Sequence, residues 1–233
     1  MKANDMKFYL YRSKAKIDAL YGQIQGSEKK GKLKWKLDLK LVSLERETEI
    51  HPEVGNEEKL RTVLQELEAR ELIGDLDDDK PYIRGIVPMR WGMYADDGLR
   101  PSDQGPFVYF GAIHDDILLG MGGSSHHVEG WYGVTATGSR SATPALVQFL
   151  LSAVDTGDRP DWFQREEIDE VFSAMALANH YLMKGPVQQL DFVAKVLCRE
   201  RYCKLKPWEE EIGRGILATP LYVSQVDPMF VDD

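Results

Sequence analysis

Hydrophobic positions along the chain recur at two spacings. Phe8 to Tyr11 is a short apolar-aromatic run that predicts a first strand. Ser13 follows as an N-cap. Ile17, Leu20, Tyr21 and Ile24 then fall at i, i+3, i+4 and i+7, the face of an amphipathic helix that ends at Gly26 and Ser27. Leu33, Trp35, Leu37, Leu39 and Leu41 alternate with Lys32, Lys34, Lys36, Asp38 and Lys40, which predicts a strand with one buried and one basic face. Asn56 is placed to cap a helix carrying Leu60, Val63, Leu64 and Leu67, with Gly74 at its end. The acidic run Asp75 to Asp79 lacks the glycine and terminal glutamate of a calcium loop, and reads as a solvated turn.

Further on, Tyr82 to Met89 predicts a strand, and Gly98 to Gly105 a loop. Phe107 to Ile113 and Ile117 to Met121 predict a hairpin around His114, Asp115 and Asp116, with another strand over Val128 to Val134. Thr143 and Pro144 suit the start of a helix whose core stripe is Leu146, Phe149, Leu150 and Ala153. Two helical stripes follow: Ile168, Val171, Phe172 and Met175, then Leu190, Val193, Ala194 and Leu197 after the break at Gly185-Pro186. Leu217 to Val223 closes the chain as a strand. Pro220 cannot donate to a ladder, so an edge position is expected for it. Together these predict an α+β fold: a mixed, mainly antiparallel sheet covered by helices, with a helical C-terminal part, in a single domain over residues 1–233.

Composition narrows the function classes. A hydrophobic fraction of 43% with 29% charged residues is globular rather than disordered. The apolar run Ala145 to Leu151 is too short to span a bilayer, and the N-terminus has no signal-peptide core, so the cytosol is the expected location. The formal net charge of −9 argues against a dedicated nucleic-acid binder. The lysines of Lys32 to Lys40 stand out against that acidity, first as a solvated sheet face that discourages edge pairing and second as a surface for an acidic protein partner. Cys198 and Cys203, five residues apart on a predicted helix, would face apart and stay reduced.

The densest polar segment runs from Gly120 to Thr143. Gly122, Gly123, Ser124 and Ser125 are candidates for a nest of amide donors around an anion. Arg140 lies just before the helix start at Thr143 and Pro144, the second anion-favouring element. His127 and Trp91 would add hydrogen bonding or stacking, and Arg84, Arg90 and Tyr94 lie near Trp91 in sequence. The alternative use of glycine here is turn and strand geometry alone. His126, His127 and Glu129 could serve a hydrolase, with or without a metal. A metal would need a third ligand such as His114, Asp115 or Asp116.

Four stretches, YLYRSKAKIDALYGQI (9–24), PMRWG (88–92), VYFG (108–111) and ATPLYV (218–223), together resemble an uncharacterised family of bacterial cytosolic proteins, a domain of unknown function. The resemblance implies one domain and brings no activity, cofactor or site residue. The leading expectation is therefore a ligand-sensing or regulatory module for a small anionic ligand, with nucleotides among the candidates. A hydrolase built on the histidine cluster comes second, and a protein-interaction subunit third.

Overall fold

The computed structural model describes residues 7–28, 54–94, 107–130, 146, 150, 171–183, 185–205 and 210–226. They belong to two compact units: Lys14–Leu72, and Met1–Ser13 together with Ile73–Asp233. The basic segment Lys32 to Lys40, the helix start at Thr143 and Arg140 lie outside the described residues. No described helix is long and apolar enough to cross a membrane.

The first unit is built on α1 (Lys14–Glu28) and α2 (Asn56–Ala69). Leu60, Val63 and Leu67 give α2 its buried stripe, at the predicted spacing. Lys59 Nζ meets Asp18 Oδ1 at 2.6 Å, joining the two helices. Gly55, not Asn56, is the N-cap, and no side chain bonds there. Glu57 and Glu58 in the first turn complement the helix dipole instead. The helix stops at Ala69, five residues short of the expected glycine, and Glu71 takes the left-handed position at φ 55°.

The second unit is β-structure. Its strands are β1 (Phe8–Arg12), β2 (Ile73–Gly74), β3 (Tyr82–Tyr94), β4 (Phe107–His114), β5 (Ile117–Ser124), β6 (Gln188–Leu205) and β7 (Glu210–Gln225). A short helix α3 (Val171–Leu177) runs into a π-turn at Ala178–Leu182. Strand β3 pairs with β6 over Tyr82 to Met89 and with β4 over Arg90 to Tyr94. Strand β4 pairs with β5, β5 with β7, and β7 with β6, so five strands close in the order β3-β4-β5-β7-β6. All five pairings are antiparallel except β5 with β7. Numbered along the barrel this is the order 1-2-3-5-4, with a helix between the third and fourth strands, the Greek-key connectivity of OB-type barrels.

This overturns the expected fold. The chain is mainly β, its sheet closes on itself, and the C-terminal part is a long hairpin rather than a helical region. The stripe Leu190, Val193, Ala194 and Leu197 belongs to β6. In a strand the same segment presents Leu190, Phe192, Ala194 and Val196 at period two, and these pack into the barrel core. Apolar residues on both faces let the segment fit either template, and the partners β3 and β7 decide between them. Cys198, free and exposed, therefore lies on a strand. Strand β7 is not an edge either. Pro220 sits where β7 has left β5 at Ala218 and has not yet met β1 at Tyr222, beside a register shift against β6. Its missing N–H falls in that gap.

The barrel interior holds Val108, Phe110, Leu119, Met121, Phe192 and Ile216, among others, with Tyr11 reaching in from β1. A second apolar cluster lies outside the barrel, where Phe172 and Met175 of α3 and the helical residues Leu146 and Leu150 cover Phe107, Tyr109 and Leu118. Strands β4 and β5 are thus buried on both faces. Glycine makes that possible. A methyl on Gly122 would lie 2.8 Å from Leu146 Cδ1 and from the Phe107 ring, and one on Gly123 would run into the Tyr11 ring inside the barrel. Gly122→Val is expected to cost about 1–3 kcal/mol by overpacking. Gly22→Ala, in open space on α1, should gain about 0.5–1 kcal/mol. Urea unfolding of the two variants checks the opposite signs.

Candidate functional site

The residues singled out in the sequence fall into three places. Gly122 and Gly123 are buried strand residues opposite Tyr109 and Val108, and the Gly122 carbonyl accepts the Thr219 hydroxyl at 2.9 Å. Ser124 ends the strand half-buried, and Ser125 opens a 3-10 turn (Ser125–His127) wholly buried, with no hydrogen-bond partner for its Oγ. Trp91 donates from Nε1 to Gln188 Oε1 at 3.2 Å and stacks on Phe110 at 5.9 Å. Phe110 meets Tyr11 edge-on at 6.0 Å, and Tyr11 meets His127 at 5.9 Å. Trp91 and His127 are therefore the ends of one row of rings. Glu129 turns away to Arg12, 2.7 Å from its Nε. Among the described residues, no three or more His, Cys, Asp or Glu are grouped to hold a metal ion.

OB-type barrels bind ligands on the outer face of their second and third strands. Here that face, on β4 and β5, lies under α3, Leu146 and Leu150. A cleft of about 440 Å³ lies beside the cover, lined among the described residues by Arg90, Gly111, Ala112, Ile113, Asn179, His180, Met183 and Gly185. That volume lies in the range of small-molecule sites.

The π-turn shapes one wall. Met183 N–H bonds to Ala178 O, five residues back, at 3.2 Å. Such insertions in helices are frequent at functional sites. Asn179 is buried and clamps the turn to the hairpin: its Nδ2 donates to Ala112 O at 3.1 Å and Leu119 O at 3.2 Å, and its Oδ1 accepts the Tyr109 hydroxyl at 3.0 Å. The amide fits only because Gly111 has no side chain. The next residue, His180, is exposed toward the cleft. On the other wall Arg90, opposite Gly111 in the sheet, donates from Nε to Gly185 O at 3.1 Å. Among the described residues, no carboxylate lines the cleft. Arg90 was visible in the sequence as part of a polar-aromatic group. Asn179 and His180 carried no signal, because a π-turn has no composition of its own.

A second polar group joins β1, β6 and β7. Asp191 accepts from Lys7 Nζ at 2.6 Å, Tyr222 Oη at 3.2 Å and Ser224 Oγ at 3.2 Å. Burial opposes the Lys7 charge, but the Asp191 hydrogen bond and the neighbouring Tyr222 and Asp191 charges outweigh it and raise the ammonium above its ordinary value. Burial, then the Asp191 charge, pushes Tyr222 up to about 12. Lys7 and Tyr222 keep their protons at neutral pH, and the network ties the strands together.

The fold and cleft define a closed five-stranded β-barrel with a helical cover and a cationic cleft beside it. The chain belongs to DUF7019, a family of unknown function, whose model matches residues 7–227. The four stretches that carried the resemblance all lie within that span. No curated protein and no solved structure matches the chain.

Asn179→Ala leaves a buried tyrosine hydroxyl short of a partner, and is expected to cost about 2–3 kcal/mol in urea unfolding. Tyrosine burial also sets an alkaline limit. Tyr94 is pushed up to about 12 by burial, and Tyr11 and Tyr109 lie above the ordinary phenol range for the same reason. A raised folded-state value means stability present below the unfolded value near 10 and lost as pH rises toward the folded one. The urea midpoint should hold from pH 7 to 9 and fall between about 10 and 12. Tyr94→Phe should flatten part of that fall.

Proposed function

We propose that the barrel is a binding module for a small organic anion, seated in the cleft between Arg90 and His180. The carrying observation is the charge of the lining. In a chain of net charge −9, the described residues that line the cleft include an arginine and a histidine and no carboxylate. Arg90 spends Nε on Gly185 O, and its two terminal amino groups have no protein partner among the described residues. Guanidinium groups suit phosphate and carboxylate oxygens, which accept two parallel N–H bonds. Ile113, Ala112 and Met183 offer an apolar wall for the body of the ligand. This keeps the anionic ligand expected from the sequence, with nucleotides among the candidates, and seats it outside the Gly122 to Ser125 segment.

The site has the build of a sensor. One wall belongs to the sheet and the other to a helix end, held together by Asn179. Calorimetry with a panel of nucleoside monophosphates and mono- and dicarboxylates tests the reading. At least one should bind, and Arg90→Ala should weaken it about tenfold or more, as charge-assisted hydrogen bonds contribute roughly 1.5–3 kcal/mol. Arg90→Lys should lose less. Equal affinity in Arg90→Ala, or no binding by any member of the panel, would sink the idea.

A further inference from the structure

Three arginines gather at another part of the barrel, and none of them lines the cleft. Arg199 and Arg201 lie two residues apart on β6 and so share a face. Arg214 of β7 stands directly opposite Arg201 in the register. Like charges placed opposite each other on paired strands are unfavourable, so the arrangement needs a counter-charge. Among the described residues, its ion pairs all fall on one carboxylate, with the charge of Asp78 adding to it at Arg199. Asp79 Oδ1 takes Arg199 at 3.4 Å and Arg214 at 3.9 Å, and Oδ2 takes Arg201. Other cations of the molecule are supplied one to one: Lys7 has Asp191, Arg12 has Glu129 and Lys59 has Asp18.

The remaining contacts of the trio are with the backbone of the Asp79 loop. Arg214 Nη1 donates to Leu76 O at 3.0 Å, and Arg199 Nη2 to Lys80 O at 3.3 Å. Arg199 Nε is buried with no partner. Burial, and after it the Arg214 and Arg201 charges, lowers the proton affinity of Arg199, and Asp79 and Asp78 act the other way. Among the described residues, three guanidiniums thus share one ion-paired carboxylate. The trio is also reachable: Arg199 and Arg214 are 13% exposed, but Arg201 is 57% and Asp79 is 59% exposed.

We infer that Arg199, Arg201 and Arg214 form a seat for a phosphate group, filled in this structure by the chain's own Asp79 carboxylate. A phosphate brings one more oxygen than a carboxylate and up to twice the charge, and so meets three guanidiniums better. Its entry releases the 75–81 loop that Asp79 pins. The acidic run Asp75 to Asp79 is then a built-in competitor. Within the run, Asp75 pairs with Arg84, and Asp78 accepts the Asp75 N–H while adding its charge to that of Asp79 at Arg199.

The test uses Asp79→Asn, which keeps the shape of the plug and removes its charge. Thermal unfolding is followed against inorganic phosphate and against glycerol phosphate, with sodium chloride holding ionic strength constant. Asp79→Asn should gain thermal stability saturably, with an apparent affinity about tenfold or more above wild type. Asp79→Asn combined with Arg201→Ala should not respond. A response to inorganic phosphate alone makes free phosphate the ligand, and a stronger one to glycerol phosphate makes it a phosphomonoester. If Asp79→Asn responds no more than to chloride, or the double variant responds equally, the trio only clamps its loop. Should Asp79→Asn fail to fold, phosphorus NMR of inorganic phosphate with the wild-type chain replaces it. Line broadening that Arg201→Ala abolishes supports the seat, and broadening that survives Arg201→Ala, or none at all, overturns it.

Discussion

The rest of the β unit depends on β7 being hydrogen-bonded along both edges. One edge runs beside β6 for nearly its whole length. The other is divided between β5 and β1. The parallel contact with β5 turns a curved sheet into a barrel and removes the open edges that a flat sheet would expose. Closure creates the dry interior where Tyr11, Phe110 and Trp91 meet. It also places Arg201 opposite Arg214 and carries Arg90 to the outer surface beside the π-turn. Both anion-favouring places are consequences of strand register.

Local elements were readable where one template fitted. The hairpin around Asp115 and Asp116 was legible because two short apolar runs, each of strand length, flank a polar turn. The α2 stripe was legible from its helical period. Strand β6 was not, since its two apolar faces satisfied a helix as well as a strand. Barrel closure was not legible at all, because it rests on pairing between residues nearly a hundred positions apart, such as Gly120 and Leu217. Arg90 could be named early, as an arginine beside a tryptophan, but nothing local joined it to His180. Arg199 and Arg201 carry a strand signal in their spacing that appears only once the segment is read as a strand.

The two cationic places differ in how they treat negative charge. The described lining of the cleft carries none of its own, and Arg90 and Asn179 there are held by backbone contacts. The arginine trio is already answered by Asp79. In the first, a ligand adds to a preformed arrangement. In the second, it must displace an existing partner, so its affinity is a difference between two bound states.

The glycines of β5 have a further consequence. A run such as Gly120, Met121, Gly122, Gly123 suggests freedom, yet each of these glycines is enclosed by rings and helix side chains. Substitution at such positions is one-sided, since there is nothing smaller to exchange in and almost anything larger collides. The segment richest in the most permissive amino acid is in this way among the least editable parts of the molecule.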